Sequence, residues 1–163
     1  MNVEILSRKA AERLIRTGFP DDAAVVSFYD PTSPRTPEDY RPLDYGAACS
    51  RVFYVAVHDI DIEILGDYGL TFESYFPEAD ALADFILAAA ADGCRLICQC
   101  EYGQSRSAAC AAAVREYFNH SGIEIFADYR YYPNQLVFNK LLDALRRRGG
   151  REQLESPEDN IHQ

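Results

Sequence analysis

A thiol and a guanidinium six residues apart are the residues of this chain whose types and spacing point most directly to chemistry. Cys100 and Arg106 stand at the two ends of Cys-Glu-Tyr-Gly-Gln-Ser-Arg, and the apolar run from Arg95 to Gln99 precedes them. A strand that ends in such a loop can turn successive backbone N–H groups toward one anion, while an arginine holds two of its oxygens. The spacing therefore predicts a phosphate-binding loop with a nucleophilic thiol at its centre.

The residues after this loop predict a helix that begins at Ser107 and continues through an alanine-rich stretch. Inward amide dipoles, a guanidinium and a helix N-terminus all favour the thiolate, which is the nucleophilic form of cysteine. We expect the Ser107 hydroxyl to hydrogen-bond the Cys100 sulfur and to stabilise it as a leaving group. The residues expected to bind phosphate are Glu101, Tyr102, Gly103, Gln104, Ser105 and Arg106.

The stretch from Gln99 to Ser107 resembles the signature H-C-x-x-G-x-S-R-S of the cysteine-dependent protein tyrosine phosphatases, in their compact dual-specificity form. Val55–Asp59 is similar to that family's strand and acid loop, and 74–86 to the helix before its catalytic strand. The resemblance implies one α/β domain over residues 1–148, with helices flanking a mainly parallel central sheet. It also implies a phosphomonoester hydrolase that needs no metal or other cofactor and forms a thiophosphate enzyme intermediate.

Gln99 is the position at which the chain departs from this signature, because the family has a histidine there. A glutamine side chain still forms hydrogen bonds, but it carries no positive charge. The resemblance therefore implies less thiolate at Cys100, and activity that is weaker or shifted to higher pH. Complete loss of activity does not follow, since the groups that contact phosphate and sulfur directly are all retained.

A carboxylic acid upstream of the catalytic strand should protonate the leaving oxygen. Asp59 is the first candidate, because it follows the apolar stretch 52–57 at the place where the family pattern has its acid. Asp61 is the next candidate and Asp67 the last. The interval from Asp59 to Cys100 is longer than is usual in the compact class, and the segment 60–70 looks like an enlarged loop.

The same loop fits other functions. A domain that binds phosphate without turnover would act as a phosphopeptide-binding module, and rhodanese-type sulfur transfer also uses a loop cysteine near arginine. The downstream Ser105-Arg106-Ser107 favours phosphatase over sulfur transfer.

On oxidation, Cys49 is a candidate for a protective disulfide with Cys100, although no spacing indicates this pairing.

The expected substrate is a phosphotyrosyl protein or peptide. Glu101 and Gln104 stand where phosphoinositide-cleaving relatives tend to carry lysines, which disfavours a multiply phosphorylated headgroup. The stretch from Tyr129 to Pro133 fits a partly buried loop or an interface better than a platform for the phenyl ring.

Composition limits the other possibilities. The chain has 163 residues and a formal net charge of −10, which argues against general affinity for nucleic acid or an anionic membrane surface. No apolar run is long enough to span a bilayer, no leader pattern begins the chain, and five cysteines without disulfide-type spacing fit a reducing compartment. We therefore expect a cytoplasmic protein, whose oligomeric state the sequence does not indicate.

The pattern of apolar residues predicts the elements that position the site. Strands are expected at 3–6, 24–29, 52–57 and 95–99, and Ser7 should cap the first helix. Thr71 or Ser74 should cap a helix that runs to Ala91. Asn134 should cap a last helix from Gln135 to about Arg147, and 149–163 is expected to form a polar, mobile C-terminal tail.

Overall fold

The computed structural model describes the backbone of residues 1–155 and the side chains of residues 1–150. Within these residues, four parallel strands form one sheet in the order β1-β4-β2-β3. The strands are β1 (Val3–Ser7), β2 (Ala23–Tyr29), β3 (Val52–Ala56) and β4 (Arg95–Cys100). The predicted α/β domain with a parallel central sheet is confirmed.

Helices cover both faces of this sheet, so its central strands are buried on both sides and are rich in apolar residues. The helices are α1 (Arg8–Thr17), α2 (Ala79–Ala91), α3 (Arg106–Asn119), α4 (Ile123–Ala127) and α5 (Gln135–Glu155). The larger core joins α2, α3 and α5 to one face, while Ala11 of α1 and the 43–49 segment pack on the other. No helix in the described part of the chain is both long and apolar enough to cross a bilayer.

The parallel arrangement brings the carboxyl ends of the strands to one edge of the sheet, where ligands bind in folds of this class. Ser7 at the end of β1 pairs with Cys100 at the end of β4, and Tyr29 at the end of β2 pairs with Ala56 of β3. The residues that follow these strand ends, including Asp30 and Asp59, therefore lie at the same edge as the thiol.

Side chains at the helix starts confirm two of the three predicted N-caps. The Ser7 hydroxyl accepts a hydrogen bond from the Ala10 amide at 3.1 Å, and Oδ1 of Asn134 accepts one from the Val137 amide at 2.9 Å. Each contact satisfies a backbone donor that the first turn of a helix leaves unpaired.

The predicted start of α2 at Thr71 or Ser74 is wrong, because this helix begins at Ala79. Thr71 and Ser74 instead close a turn in which each hydroxyl accepts a hydrogen bond from the other residue's amide. Pro77 explains the later start, since proline lacks an amide donor and keeps the preceding residue out of the helical region. The residue before it, Phe76, has φ +56°.

The predicted end of α5 near Arg147 is also wrong, because the helix continues to Glu155. Arg147 and Arg148 pair with Asp80 and Asp84 of α2, and these ion pairs hold the additional turns against the domain. Gly149 lies inside the helix, where a Cβ would stand 1.8 Å from the Tyr117 hydroxyl, so glycine here permits close helix packing. The rest of the predicted tail, residues 156–163, lies outside the described residues.

Candidate active site

Cys100 is the last residue of β4, and its side chain is buried at the start of the predicted phosphate loop. Its Sγ lies 3.0 Å from Oγ of Ser107, in the first turn of α3. The structure therefore places the thiol and the hydroxyl within hydrogen-bond distance, as expected from the sequence. In this geometry the hydroxyl can donate to a thiolate and stabilise its negative charge.

Carbonyl oxygens of the loop after Cys100 accept hydrogen bonds from backbone amides elsewhere in the chain. The carbonyl of Glu101 accepts from the Arg8 amide at 3.1 Å, that of Gln104 from the Tyr132 amide at 2.8 Å, and that of Ser105 from the Ala109 amide at 2.8 Å. The described peptide bonds are all trans, so each N–H points away from the carbonyl in its own peptide unit. The amides of residues 102, 105 and 106 therefore point away from the groups that bond to these carbonyls.

Gly103 meets a steric requirement at the centre of the loop. Its φ is +68°, and a Cβ there would stand 2.6 Å from the Ser7 amide nitrogen and 2.9 Å from the Leu6 carbonyl carbon. Both the left-handed backbone and the close approach of β1 exclude a larger residue without rearrangement. The glycine of the motif therefore allows the loop to pack against the β1–α1 junction.

Arg106 begins α3, and only 4% of it is exposed to solvent. Nη1 donates to Oδ1 of Asp30 at 2.7 Å and to the carbonyl of Val57 at 2.8 Å, which orients the guanidinium. Nε is buried and has no hydrogen-bond partner among the described residues. A charged donor in this position is available to an anion bound in the loop.

Asp59 is the candidate acid that the structure brings to the loop. Its Oδ1 accepts hydrogen bonds from Oγ of Ser105 at 2.6 Å and from Nδ2 of Asn134 at 2.9 Å. Asp61 and Asp67 are exposed, and neither side chain contacts the loop within the described residues; Asp67 lies in the short 3₁₀ helix Ile62–Tyr68. The enlarged 60–70 loop predicted from the sequence thus carries a short helical segment.

Two residues support the site in ways that the sequence did not predict. Asp30 follows the end of β2 and pairs with Arg106, and its position after a parallel strand is the signal in the sequence that indicates this place. Asn134 was identified as a helix cap, but its amide group also donates to Asp59 and, at 3.1 Å, to the carbonyl of Ile60. One residue thus fixes both α5 and the acid loop.

Gln99, which stands where the signature has histidine, is buried on the opposite side of β4 from Cys100. Its Oε1 accepts hydrogen bonds from Oγ of Ser27 at 2.6 Å and from the Tyr45 hydroxyl at 2.8 Å. Burial raises the pKa of Tyr45 well above its ordinary value, so this hydroxyl remains a donor. The amide oxygen therefore satisfies two buried hydroxyl groups.

Two rings lie beside Asp59. The His58 ring lies 4.7 Å from that of Tyr68, and the guanidinium of Arg35, on the loop after β2, lies 4.6 Å from the Tyr68 ring. Burial lowers the pKa of His58, although the nearby Asp30 carboxylate opposes this effect. The neutral imidazole is therefore favoured beside Asp59.

The tyrosine-rich stretch is more exposed than predicted. Tyr131 packs against the core, but 88% of Tyr129 and 74% of Tyr132 are exposed. The amide of Tyr132 bonds to the loop carbonyl of Gln104, which places this tyrosine beside the phosphate loop.

The suggested disulfide between Cys49 and Cys100 is wrong. The Cys49 thiol contacts the carbonyl of Ala23 at 3.4 Å, and Ala23 pairs with Arg95 at the start of β4. Cys100 lies at the other end of that strand, about 16 Å away at roughly 3.3 Å per residue, whereas a disulfide needs Cα atoms within about 7 Å.

Within the described residues, no group of three or more histidine, cysteine, aspartate or glutamate side chains is arranged to hold a metal ion.

Comparison with known proteins shows the fold. No protein-family model and no curated protein matches the sequence. Among solved structures, PTPMT1 in complex with PI(5)P is similar over 93% of this chain and 94% of its own, with 14% identity and a TM-score of 0.51. Human DUSP28 is similar over 91% and 94%, with 20% identity and a TM-score of 0.51.

A mouse putative dual specificity phosphatase complexed with zinc tungstate is 22% identical, with a TM-score of 0.50, over 92% of this chain and 86% of its own. These similarities extend over nearly the whole of each chain. The chain therefore has the same fold as these phosphatase structures, which is the fold that the resemblance of residues 99–107 predicted.

Proposed function

We propose that this chain is a cysteine-dependent phosphomonoester hydrolase that acts on phosphotyrosyl proteins or peptides. The observation that carries the proposal is the buried Nε of Arg106, which has no acceptor among the described residues. Leaving such a donor unpaired costs about 1–3 kcal/mol, and more when the group is charged. A phosphoryl group in the loop would remove that cost, and the thiol of Cys100 stands at the start of the same loop.

In the first step, the Cys100 thiolate attacks phosphorus in line with the leaving oxygen. The sulfur–phosphorus bond forms as the bond from phosphorus to the tyrosyl oxygen breaks, and Asp59 gives its proton to that oxygen. Arg106 and the loop amides stabilise the charge on the three equatorial oxygens. Nη1 is already bonded to Asp30 and Val57, which leaves the other nitrogens of the guanidinium for this role.

In the second step, water attacks phosphorus and the sulfur–phosphorus bond breaks. The Asp59 carboxylate accepts a proton from this water, and inorganic phosphate is released. The electron pair of the broken bond returns to sulfur, where the hydroxyl of Ser107 at 3.0 Å stabilises the thiolate. The mechanism needs no metal or organic cofactor.

The surroundings of the loop favour a phosphotyrosyl substrate over a multiply phosphorylated lipid headgroup. Glu101, Asp30 and Asp59 place carboxylates beside the loop, and additional phosphate groups would be repelled by them. Two exposed tyrosines, Tyr102 and Tyr132, lie on or next to the loop and can pack against a phenyl ring. The net charge of −10 likewise disfavours nucleic acid and anionic membranes as partners.

We place this activity in the cytoplasm. All five cysteines lie among the described residues and are free thiols, and the mechanism requires Cys100 to be reduced. A reducing compartment maintains that state.

A pre-steady-state burst with p-nitrophenyl phosphate tests the hydrolase. We expect one equivalent of nitrophenolate per enzyme before steady turnover. Cys100→Ser should show neither burst nor turnover but should still bind phosphate, because the loop and Arg106 remain. Arg106→Lys should fail as well, since an ammonium group lacks the planar two-point geometry. Phosphate binding by a folded wild-type protein that shows neither burst nor turnover would instead identify a phosphopeptide-binding module.

A further inference from the structure

We propose that a cleft beside the phosphate loop selects the substrate sequence, and that it binds an apolar side chain next to a lysine or arginine near the phosphotyrosine. This inference rests on the phosphate site proposed above. The cleft has a volume of about 330 Å³. We call it the acidic cleft, and its principal lining residues are Asp61, Ile62, Glu63, Phe72, Gln135 and Leu136.

The acidic cleft is continuous with the site through two segments of chain. Asp61 and Ile62 follow Asp59, whose carboxylate is bonded to Ser105 of the phosphate loop. Gln135 follows Asn134, whose amide group donates to Asp59 and to the carbonyl of Ile60. A peptide with its phosphotyrosine in the loop would therefore carry a neighbouring residue over this cleft.

The walls of the cleft are apolar and partly exposed. Ile62 is 61% exposed and Phe72 is 41% exposed, whereas Leu136 is buried at its base. Large apolar side chains held at a surface around a concavity are typical of a binding site, since covering them removes apolar area from water. This wall accounts for the apolar side chain in the proposed recognition sequence.

The Phe72 wall is fixed in place by α5. The ammonium group of Lys140 donates to the carbonyls of Phe72, Glu73 and Tyr75, and it lies 5.2 Å from the Phe72 ring. These three contacts use the three donors of the ammonium group. The wall is thus formed before a ligand binds, which lowers the entropy cost of binding.

The charge of the cleft is negative. Asp61 and Glu63 contribute two carboxylates, and among the described residues neither side chain has an ion pair or a hydrogen bond. The ammonium group of Lys140 lies at the Phe72 wall and is directed to backbone carbonyls, so it does not pair with these carboxylates. The unpaired carboxylates favour a basic residue on the ligand and disfavour an acidic one.

The enlarged 60–70 loop explains why this chain has such a surface. The 3₁₀ helix Ile62–Tyr68 ends at Gly69 in the left-handed conformation, and its only buried residue is Leu65. Leu65 anchors the segment to the core, so Ile62 and Glu63 at its start remain at the rim of the cleft. The insertion thus supplies both the charge and one apolar wall.

Binding of labelled phosphotyrosyl peptides to Cys100→Ser tests the proposal without requiring turnover. Each peptide carries a pair of variable residues next to the phosphotyrosine. The first residue of the pair is leucine or serine, and the second is lysine, glutamine or glutamate. Each pair is tested on the N-terminal and on the C-terminal side of the phosphotyrosine. We expect the Leu-Lys peptide to bind about threefold to fivefold more tightly than the Leu-Gln peptide, the range of exposed charge pairs. Replacing leucine by serine should weaken binding by a similar factor.

Two charge reversals provide the matched comparison. Glu63→Lys, made in the Cys100→Ser background, should abolish or invert the preference for lysine. Asp21→Lys makes the same charge change at the opposite edge of the sheet, before β2, and should leave the preference intact. Equal binding of lysine and glutamate peptides, or the same effect from both reversals, would overturn the proposal.

A separate assay keeps this inference distinct from the hydrolase. Turnover of p-nitrophenyl phosphate by the wild type measures the hydrolase alone, because this substrate has no flanking residues that could reach the acidic cleft. Turnover together with equal binding of all peptides would overturn the acidic cleft and leave the hydrolase standing. If Glu63→Lys removes a preference for lysine peptides but the wild type does not hydrolyse p-nitrophenyl phosphate, the result would support the acidic cleft and contradict the hydrolase.

Discussion

The carboxylate of Asp30 accepts a hydrogen bond from Nη1 of Arg106 at 2.7 Å, which joins the end of β2 to the first residue of α3. The Arg106 side chain is almost fully buried, whereas 42% of the Asp30 side chain is exposed. The carboxylate therefore has two opposed effects on a bound phosphate: it orients the guanidinium, and it adds negative charge near the dianion.

Paired substitutions at Asp30 separate these two effects. Asp30→Ala removes the acceptor, and we expect the affinity for vanadate and the kcat for p-nitrophenyl phosphate to fall by about tenfold, equivalent to one charge-assisted hydrogen bond. Asp30→Asn keeps an acceptor oxygen and removes the negative charge, so vanadate should bind at least as tightly as in wild type. An equal loss in both variants would show that charge, rather than positioning, is the contribution of Asp30.

Asp59→Asn tests the general acid. Both hydrogen bonds of the carboxylate are accepted by Oδ1, so Oδ2 remains to carry the proton that reaches the leaving oxygen. The loss of kcat should be about 10²-fold or more for alkyl and phenyl phosphates and small for esters of acidic phenols, since only poor leaving groups need protonation.

Asp61→Asn is the matched control for this substitution, and it should leave the leaving-group dependence unchanged. A larger effect at Asp61, or equal losses on good and poor leaving groups in Asp59→Asn, would contradict the assignment. The alkaline limb of the pH–rate profile should flatten only in the variant that lacks the acid.

His58 provides a prediction for the pH dependence of stability. Burial lowers its pKa in the folded protein below the value of about 6.5 for an unfolded chain. Between these two values the unfolded state binds more protons, so this histidine reduces the free energy of unfolding as pH falls below about 6.5. Above that pH it has no such effect.

Thermal unfolding from pH 7.5 to pH 5 measures this contribution. We expect Tm of wild type to fall more steeply with acidification than Tm of His58→Gln, which has no group that titrates in this range. The substitution also removes the ring contact with Tyr68, which lowers Tm at every pH. The slope, rather than Tm itself, is therefore the informative quantity, and parallel curves would contradict the prediction.

The residues of the loop could be predicted from the sequence because their constraints are local. Cys100, Gly103, Arg106 and Ser107 lie within a few residues of one another. This short stretch is enough to predict the end of a strand, a left-handed turn at glycine and the start of a helix. The parallel sheet could be predicted for a similar reason, since its central strands are apolar runs separated by helical segments.

The supporting contacts could not be predicted, because they join distant parts of the chain. Asp30 reaches Arg106, and Asn134 reaches Asp59, only after the sheet and α5 have assembled. The error at the end of α5 has a tertiary cause as well, because the ion pair between Arg147 and Asp80 stabilises turns of this helix that Gly149 and Gly150 disfavour.

Gln99→His tests whether the departure from the signature controls the reactivity of the thiol. The side-chain oxygen of Gln99 accepts hydrogen bonds from two buried hydroxyl groups, those of Ser27 and Tyr45. A neutral imidazole has one acceptor nitrogen and an imidazolium has none, so protonation would leave both hydroxyls facing a cation without an acceptor. We therefore expect the introduced histidine to remain neutral, and the pH profile of Cys100 alkylation by iodoacetamide to be unchanged.

The same substitution should lower the free energy of unfolding by about 1–3 kcal/mol, because one buried hydroxyl loses its acceptor. Adding Tyr45→Phe removes that hydroxyl and should recover part of the loss, although it also leaves the space of the hydroxyl empty. Urea unfolding measures both effects, and iodoacetamide labelling of the folded variants measures the thiol. Faster alkylation below neutral pH in Gln99→His would show that a cation forms at this position, and that glutamine limits the thiolate in the natural chain.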